Sequence, residues 1–252
     1  MKQQFGLIGY PLGHSFSMNY FTQKFTQGHI DAEYVNYEVP TITELPTIIE
    51  SQTILKGLNV TIPYKEQVIQ YLDALDPHTA GRLNAVNVIK IIRDNGQYKL
   101  IGYNTDIIGF TNSIQPLLKP SHQKALVLGT GGASKAIFQG LKDLHLIPTR
   151  VSRTKKEGCL TYNELTPEIM STHTVIVNCT PLGTYPNVTY CADIPYQQVT
   201  PNHLLYDLVY NPEETLFLQK GRKQGAITKN GLEMLRLQAE ASWTIWQEKQ
   251  EF

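Results

Sequence analysis

The sequence predicts an α/β chain of two domains: an N-terminal α/β domain with a mostly parallel sheet, and a Rossmann-like, doubly wound domain. Three observations carry that expectation. Short apolar strands alternate with amphipathic helical segments along most of the 252 residues, the pattern of parallel α/β layers. From Lys124 onward an apolar strand, a glycine turn and a helix follow one another without a break. Asp94-Asn95-Gly96 between two apolar runs is a hairpin signal, so one edge of the first sheet is expected to be antiparallel.

Composition narrows the class. Hydrophobic residues make up 41% and charged residues 17%, as in a globular chain with a sizeable core. Lys plus Arg and Asp plus Glu are both 22, and no long basic run appears, which argues against a nucleic-acid footprint. No apolar run approaches the roughly 18 residues of a membrane span. The three cysteines are odd in number and lack a C-x-x-C pair, so reduced thiols in a cytoplasmic protein are expected, with no metal site.

Residues 5–8 read as the first strand, and Gly9-Tyr10-Pro11-Leu12-Gly13 as a turn. A helical pattern follows over 18–25. Ser17 is the expected N-cap, yet Ser15 and Ser17 stand two apart and can face one side of an extended segment. Residues 32–39 form the second strand, 41–50 a helix and 56–62 the third strand. Pro63 suits the first position of a helix, and residues 65–75 put Val68, Ile69, Leu72 and Leu75 on one face. That reading places Lys65 in a first helical turn. Residues 85–90 and 98–103 are paired strands. The second runs into Asn104-Thr105-Asp106, which sets a carboxylate at a strand end.

Residues 124–128 are a compact apolar strand leading into Gly129-Thr130-Gly131-Gly132-Ala133-Ser134. The spacing departs from G-x-G-x-x-G, but the physics is the same. Glycines let the backbone approach a pyrophosphate, and the helix N-terminus offers N–H donors. The next strand, near Arg150, ends in Ser152-Arg153-Thr154-Lys155-Lys156, where an NAD site would carry Asp or Glu. One guanidinium and two ammonium groups suit a 2′-phosphate, so NADP is favoured over NAD. Residues 174–177 form a strand leading to Asn178-Cys179-Thr180-Pro181-Leu182-Gly183, a loop expected to line the cofactor cleft. Residues 204–210 and 226–228 are the last strands. From Gly231 a long helix carries Leu232, Leu235, Ala239, Trp243 and Trp246 on one stripe. Met234, Ala241 and Ile245 widen it. Gln238 falls in the widened face, as a boundary polar residue or as a ligand contact.

Together these stretches resemble the shikimate dehydrogenase family over essentially the whole chain. The resembling segments are Gly9-Tyr10-Pro11 through His14-Ser15-Phe16-Ser17, Asn59-Val60-Thr61-Ile62-Pro63-Tyr64-Lys65, Ala85-Val86-Asn87 and Tyr103-Asn104-Thr105-Asp106. To these are added the glycine loop, Ser152-Arg153-Thr154, Asn178 through Gly183, Asp207 through Pro212, and Asn230 through Ala239. The resemblance implies NADP-dependent interconversion of 3-dehydroshikimate and shikimate, on the route to chorismate and aromatic amino acids. It implies Lys65 and Asp106 as the catalytic pair, and Ser15, Ser17, Asn59, Thr61, Asn87, Tyr210 and Gln238 around the substrate. It implies Gly129, Gly131, Gly132, Ala133, Ser134, Ser152, Arg153, Thr154, Thr180 and Gly231 around NADP. The expected domains are residues 1–106 with 231–252 for substrate and catalysis, and 107–230 for NADP. The expected partner is the small-molecule substrate, with no nucleic acid or membrane, in a monomer or homodimer.

Three positions depart from the family pattern. Ile107 follows Asp106 where a glycine is usual. Ser152 stands where the family has Asn. Asn84 competes with Asn87 for a substrate role, and Asn87 is preferred because Ala85-Val86 precede it. Two rivals remain: a quinate/shikimate dehydrogenase, and a non-catalytic ligand-binding module of the same fold.

Overall fold

The structure is a computed structural model and describes residues 2–13 and 15–249. His14 of the first resembling segment, Met1 and residues 250–252 of the expected first domain lie outside the described residues. The chain divides into two compact units. One ends at Thr105 and resumes at Ala239; the other runs from Asp106 to Gln238.

The first unit contains β1 (Gln3–Gly9), α1 (Phe16–Gln27), β2 (Ala32–Glu38), α2 (Leu45–Ser51), β3 (Leu55–Val60), β4 (Ala74–Leu75), α3 (Ala80–Leu83), β5 (Val88–Asp94) and β6 (Gln97–Tyr103). Among the described residues its sheet has six strands in the order β2-β1-β3-β5-β6-β4. The β2-β1, β1-β3 and β6-β4 pairs are parallel; β5 runs antiparallel to both neighbours. The reversal is made at Asn95 and Gly96, whose φ values of 47° and 82° meet the positive-φ demand of a two-residue hairpin. Alternation along β1 sends Phe5 and Leu7 into an aromatic cluster with Phe21, Tyr34 and Trp246, and Ile8 into an aliphatic one with Leu45, Ile49 and Leu58.

Two local expectations give way here. Ser15, not Ser17, caps α1: its hydroxyl accepts from the Met18 N–H at 3.2 Å, and Ser17 lies inside the helix. No α-helix follows Pro63 either. The chain turns through Thr61–Tyr64, makes a short 3-10 helix at Gln67–Tyr71 and becomes extended at Leu72. The reason is strand pairing. Ala74–Leu75 joins β6, and Asp73 locks the exit by accepting from the Leu100 N–H at 2.7 Å. Val68 is completely buried, and Ile69, Leu72 and Leu75 are half-buried against the same core, without a continuous helix.

The second unit contains α4 (Asp106–Ile114), β7 (Lys124–Leu128), α5 (Gly132–Asp143), β8 (Ile147–Ser152), β9 (Cys159–Thr161), α6 (Pro167–Thr172), β10 (Val175–Asn178), β11 (Leu204–Asp207), α7 (Leu216–Lys223) and β12 (Ile227–Lys229). Its six described strands are all parallel, in the order β12-β11-β10-β7-β8-β9. From β7 the chain first builds outward through β8 and β9, then returns to build outward from β10. Neighbouring β7 and β10 therefore mark the switch point of a doubly wound sheet.

The last helix, α8 (Leu232–Gln247), starts in the second unit and ends in the first. Its buried residues are Met234, Gln238, Ala239, Ser242, Ile245 and Trp246, so the buried face is rotated from the expected stripe and contains two polar side chains. Its end is fastened to the first sheet. The Trp246 Nε1 donates to the Ile89 carbonyl at 3.1 Å, and the Lys90 ammonium donates to the Ile245 and Glu248 carbonyls, each at 2.6 Å. Gly57 lies under the Trp246 indole, where a Cβ would collide with the ring. Gly57→Ala should therefore lower stability by about 1–3 kcal/mol, the usual cost of overpacking. A urea midpoint equal to wild type would show that the indole shifts without cost.

Candidate functional site

The glycine loop after β7 and the loop after β10 line one pocket of about 500 Å³ in the second unit. Gly129, Thr130 and Gly131 form one wall. Ser152, Arg153, Thr154 and Lys156 after β8 form another, Cys179 through Leu182 a third, and Tyr162 completes the lining. Gly129 has φ +104°, a conformation that favours glycine. Gly131 and Gly132 differ: their φ values are not positive, and a Cβ on either would meet nothing within 4 Å. Neither backbone conformation nor packing demands glycine there, whereas a ligand resting on the loop would. The α5 N-terminus adds donors, since its Gly131 cap supplies no side chain to bond them. The residues present thus fit a dinucleotide phosphate.

The basic loop is less uniform than its sequence. Lys155 pairs with Glu164 at 2.5 Å, and Lys156 donates to the Thr130 hydroxyl at 3.0 Å. The Lys155 hydrogen bond, followed by bonds from Thr161, holds the Glu164 carboxyl down to about 2. Lys155 is thereby paired at the surface, and Lys156 ties the basic loop to the glycine loop. The exposed Arg153, on the pocket lining, offers the planar fork suited to a 2′-phosphate, with the Lys156 ammonium on the same lining.

Behind the loop after β10 lies a buried carboxylate that sequence reading did not single out. Asp207, fully buried at the end of β11, accepts from Asn178 Nδ2 at 2.9 Å, from the Val209 N–H at 3.0 Å and from the Thr215 hydroxyl at 2.5 Å. Burial raises its pKa to about 6 despite these three donors. Its neighbours Cys179 and Tyr196 are pushed up as well, chiefly by burial, and remain neutral. A carboxylate within the apolar run Leu204–Tyr210 was the available signal.

In the first unit a polar chain runs through otherwise apolar packing. Tyr34, hydrogen-bonded to Ser17, donates to Asn59 Oδ1 at 2.7 Å. Asn59 Nδ2 donates to Ser242 at 3.1 Å, and Ser242 meets Thr105 at 3.2 Å. Asn87 Oδ1 accepts from the Thr105 N–H at 2.7 Å. Burial holds the Tyr34 phenol well above its usual range, so it acts here as a neutral donor. The structure thus brings Ser17, Asn59 and Asn87 together through Tyr34, Thr105 and Ser242, none of which was expected from sequence. Ser242 could have been found: it lies one helical turn beyond Gln238. Asn84 is exposed and left-handed at the end of α3, with φ 49°, whereas Asn87 is buried in the chain of bonds.

The other expected residues are placed as follows. Thr61 and Lys65 are half-buried in the turns after β3, and the Lys65 carbonyl is held by the Val86 N–H at 2.7 Å. Asp106 is the first residue of α4, so it opens a helix instead of ending a strand. Ile107 is buried within that helix and makes no special bend. Ala133 and Ser134 form the first turn of α5; Ser134 is buried and donates to the Gly131 carbonyl at 2.6 Å. Tyr210 is 37% exposed, and Gln238 is buried with its amide donating to the Leu235 carbonyl at 3.0 Å. Gly231 lies outside the pocket lining, against the Leu208 backbone, where a side chain would not fit.

The family described as the shikimate dehydrogenase substrate binding domain matches residues 7–89. A shikimate dehydrogenase (NADP(+)) of Desulforamulus reducens is 34% identical over 262 residues, covering 96% of this chain and 88% of that protein. The chain belongs to the shikimate dehydrogenase family. A chorismate mutase/shikimate 5-dehydrogenase fusion protein from Clostridium acetobutylicum has a similar structure, with TM-score 0.85 and 34% identity over 98% of this chain and 92% of that one. The shikimate 5-dehydrogenase of Thermus thermophilus, solved in complex with NADP(H) and shikimate, gives TM-score 0.83 and 26% identity over 97% and 93% of the two chains. The shikimate dehydrogenase match at 7–89 spans Ser15, Ser17, Asn59, Thr61, Lys65 and Asn87.

Asp207 gives a pH prediction with a definite sign. Its folded pKa, about 6, lies above the ordinary 3.8. The favourable contribution therefore belongs to the protonated form, is complete below 3.8, and is lost as pH rises through about 6. Relative to Asp207→Asn, which cannot titrate, wild type should lose melting temperature between about pH 4 and 7. A difference that stays constant across that window would refute the assignment.

Proposed function

We propose that this chain is an NADP-dependent shikimate dehydrogenase, reversibly reducing 3-dehydroshikimate to shikimate on the route to chorismate and the aromatic amino acids. The observation that carries this reading is the similarity to shikimate dehydrogenases along 96% of the chain. The pocket chemistry supports the cofactor: open glycines after β7, and an arginine where a ribose-binding acid would select NAD. When bound, NADPH supplies the hydride that reaches the ring carbon.

The chain's own groups handle the oxygen and the orientation. Lys65 donates to the substrate oxygen as negative charge develops on it, the role a cation fills most effectively in a low-dielectric site. Asp106 orients the Lys65 ammonium and accepts from a ring hydroxyl. Ser15, Ser17, Thr61, Asn87, Tyr210 and Gln238 hold the remaining polar groups of the ring. Ser15 can do so while capping α1, because its accepted bond leaves the hydroxyl proton free to donate. Asn59, 5% exposed with both amide atoms bonded, serves the substrate by fixing its neighbours. Gly129, Gly131, Gly132, Ala133 and Ser134 cradle the pyrophosphate, Ser152, Arg153 and Thr154 take the adenosine 2′-phosphate, Thr180 holds the cofactor from the loop after β10, and Gly231 lies near the nicotinamide. A cytoplasmic setting and a monomeric or homodimeric state belong to the same reading. The three free cysteines are consistent with such a setting.

The deciding experiment follows the NADPH absorbance with shikimate or quinate against NADP or NAD. Shikimate with NADP should be the preferred pair. Preferred turnover of quinate with NAD would instead identify a quinate/shikimate dehydrogenase, and no turnover in any combination would leave a binding module. Lys65→Ala should lower kcat by roughly 10²–10⁴-fold with little change in the KM for NADPH. Arg153→Ala should narrow the preference for NADP over NAD, and an unchanged ratio would remove the 2′-phosphate assignment. Gly131→Ala separates ligand from fold: its Cβ meets no neighbour, so melting temperature should hold while NADPH binding weakens.

A further inference from the structure

The pocket wall formed by Cys179 through Leu182 has no regular secondary structure, yet it presents Thr180 in a single defined arrangement. That definition comes from Asn178, whose Oδ1 accepts from the Thr180 N–H at 3.1 Å and from the Thr180 hydroxyl at 2.6 Å. An amide can turn end for end at little steric cost, and what prevents it here is Asp207. With Nδ2 donating to the Asp207 carboxylate at 2.9 Å, the oxygen must face Thr180. The flipped amide would set oxygen against carboxylate and NH₂ against the Thr180 N–H, losing the bonds to Asp207 and to the Thr180 N–H together.

We propose that Asp207 is a positioning residue for cofactor binding: it fixes the Asn178 amide, which holds Thr180 and the wall of the pocket around it. Asp207 touches no ligand itself. The same carboxylate holds the Val209 N–H, and the Val209 carbonyl accepts from the Gly231 N–H at 3.2 Å. Its second oxygen takes the Thr215 hydroxyl, the N-cap of α7. One buried group thus organises the chain after β10, after β11 and before α8. The relay also sets the polarity of Thr180. Its proton is committed to Asn178, so toward a ligand the hydroxyl offers a lone pair and selects a donor.

The inference rests on the proposed NADP function, and binding measurements keep the two separable. NADPH and shikimate dissociation constants are measured separately, by nicotinamide fluorescence and by calorimetry, on wild type, Asp207→Ala and Asp207→Asn. Asp207→Ala should weaken NADPH roughly tenfold, equivalent to about 1.4 kcal/mol, and leave shikimate near its wild-type value. Asp207→Asn should recover most of the loss, because its oxygen still accepts from Asn178 and Val209 while its NH₂ faces a hydroxyl that can accept. If Asp207→Ala does not fold, Asn178→Ala carries the same expected loss of NADPH. The relay is overturned if the folded variant binds NADPH as wild type does, if shikimate weakens equally, or if Asp207→Asn is as impaired as Asp207→Ala. Wild type failing to bind NADPH would overturn the functional reading first, and the relay with it.

Discussion

The second unit depends on a constraint of topology. Two parallel strands, β7 and β10, lie side by side while the chain leaves them in opposite directions. Loops from such strands diverge and leave a crevice at their carboxyl ends. The crevice needs a floor that approaches closely and walls that do not collapse into it. The glycine loop supplies the floor, because Gly131 and Gly132 add no side chain to a surface that is already open. The walls are a different problem, since loops after β8 and β10 have no ladder to hold them. Lys156 bridges to Thr130 on one side, and Asn178 holds Thr180 on the other. Asp207 is the cost of the second solution: a buried carboxylate tolerated because three donors meet it.

The first unit solves a similar problem with neutral groups. Its buried polar chain from Tyr34 to Asn87 uses hydroxyls and amides, which avoid the desolvation of a full charge. Each member is anchored on a different element: Tyr34 on β2, Asn59 on β3, Ser242 on α8, and Thr105 and Asn87 at the ends of the hairpin strands. A chain of this kind is only as fixed as its most distant element. That element is α8, whose C-terminal turn is clamped by Lys90 and whose Trp246 stacks on Phe5 with ring centroids 4.8 Å apart. Trp246 and Lys90 therefore support polar geometry that neither of them touches.

Much of this was legible in the chain itself, for local reasons. Strand 124–128, its glycine turn and α5 are a contiguous motif, and the Asn95-Gly96 hairpin is fixed by two residues with positive φ. Arg153 and Thr180 were legible because they sit at fixed offsets from such motifs. The helix expected after Pro63 was not, because periodicity reports only that Val68 and Leu72 face the core, not what pairs with the chain after them. β4 is two residues long and exists only because β6 offers it an edge. Tyr34, Thr105 and Ser242 were missed for the same reason. Each is an ordinary residue alone, and they join one polar chain only through pairings 18 to 183 residues apart.

The departures from the family pattern follow from this division between local and tertiary causes. A glycine after Asp106 would matter if the chain had to bend there, but Asp106 opens α4 and Ile107 is simply a buried helical residue. The close approach is made two residues later. Gly109 lies against the Met234 carbonyl and the Gln238 backbone, where a Cβ would collide. Ser152 for Asn is similar in kind: the side chain is shorter, 6% exposed, and on the pocket lining, so it keeps a hydroxyl there while giving up reach. What it gives up must come from residues beside it. With Lys155 held by Glu164, that burden falls on Arg153, Thr154 and Lys156, which line the pocket. Cofactor selectivity in this chain should therefore rest on fewer groups than the run of three basic residues suggests.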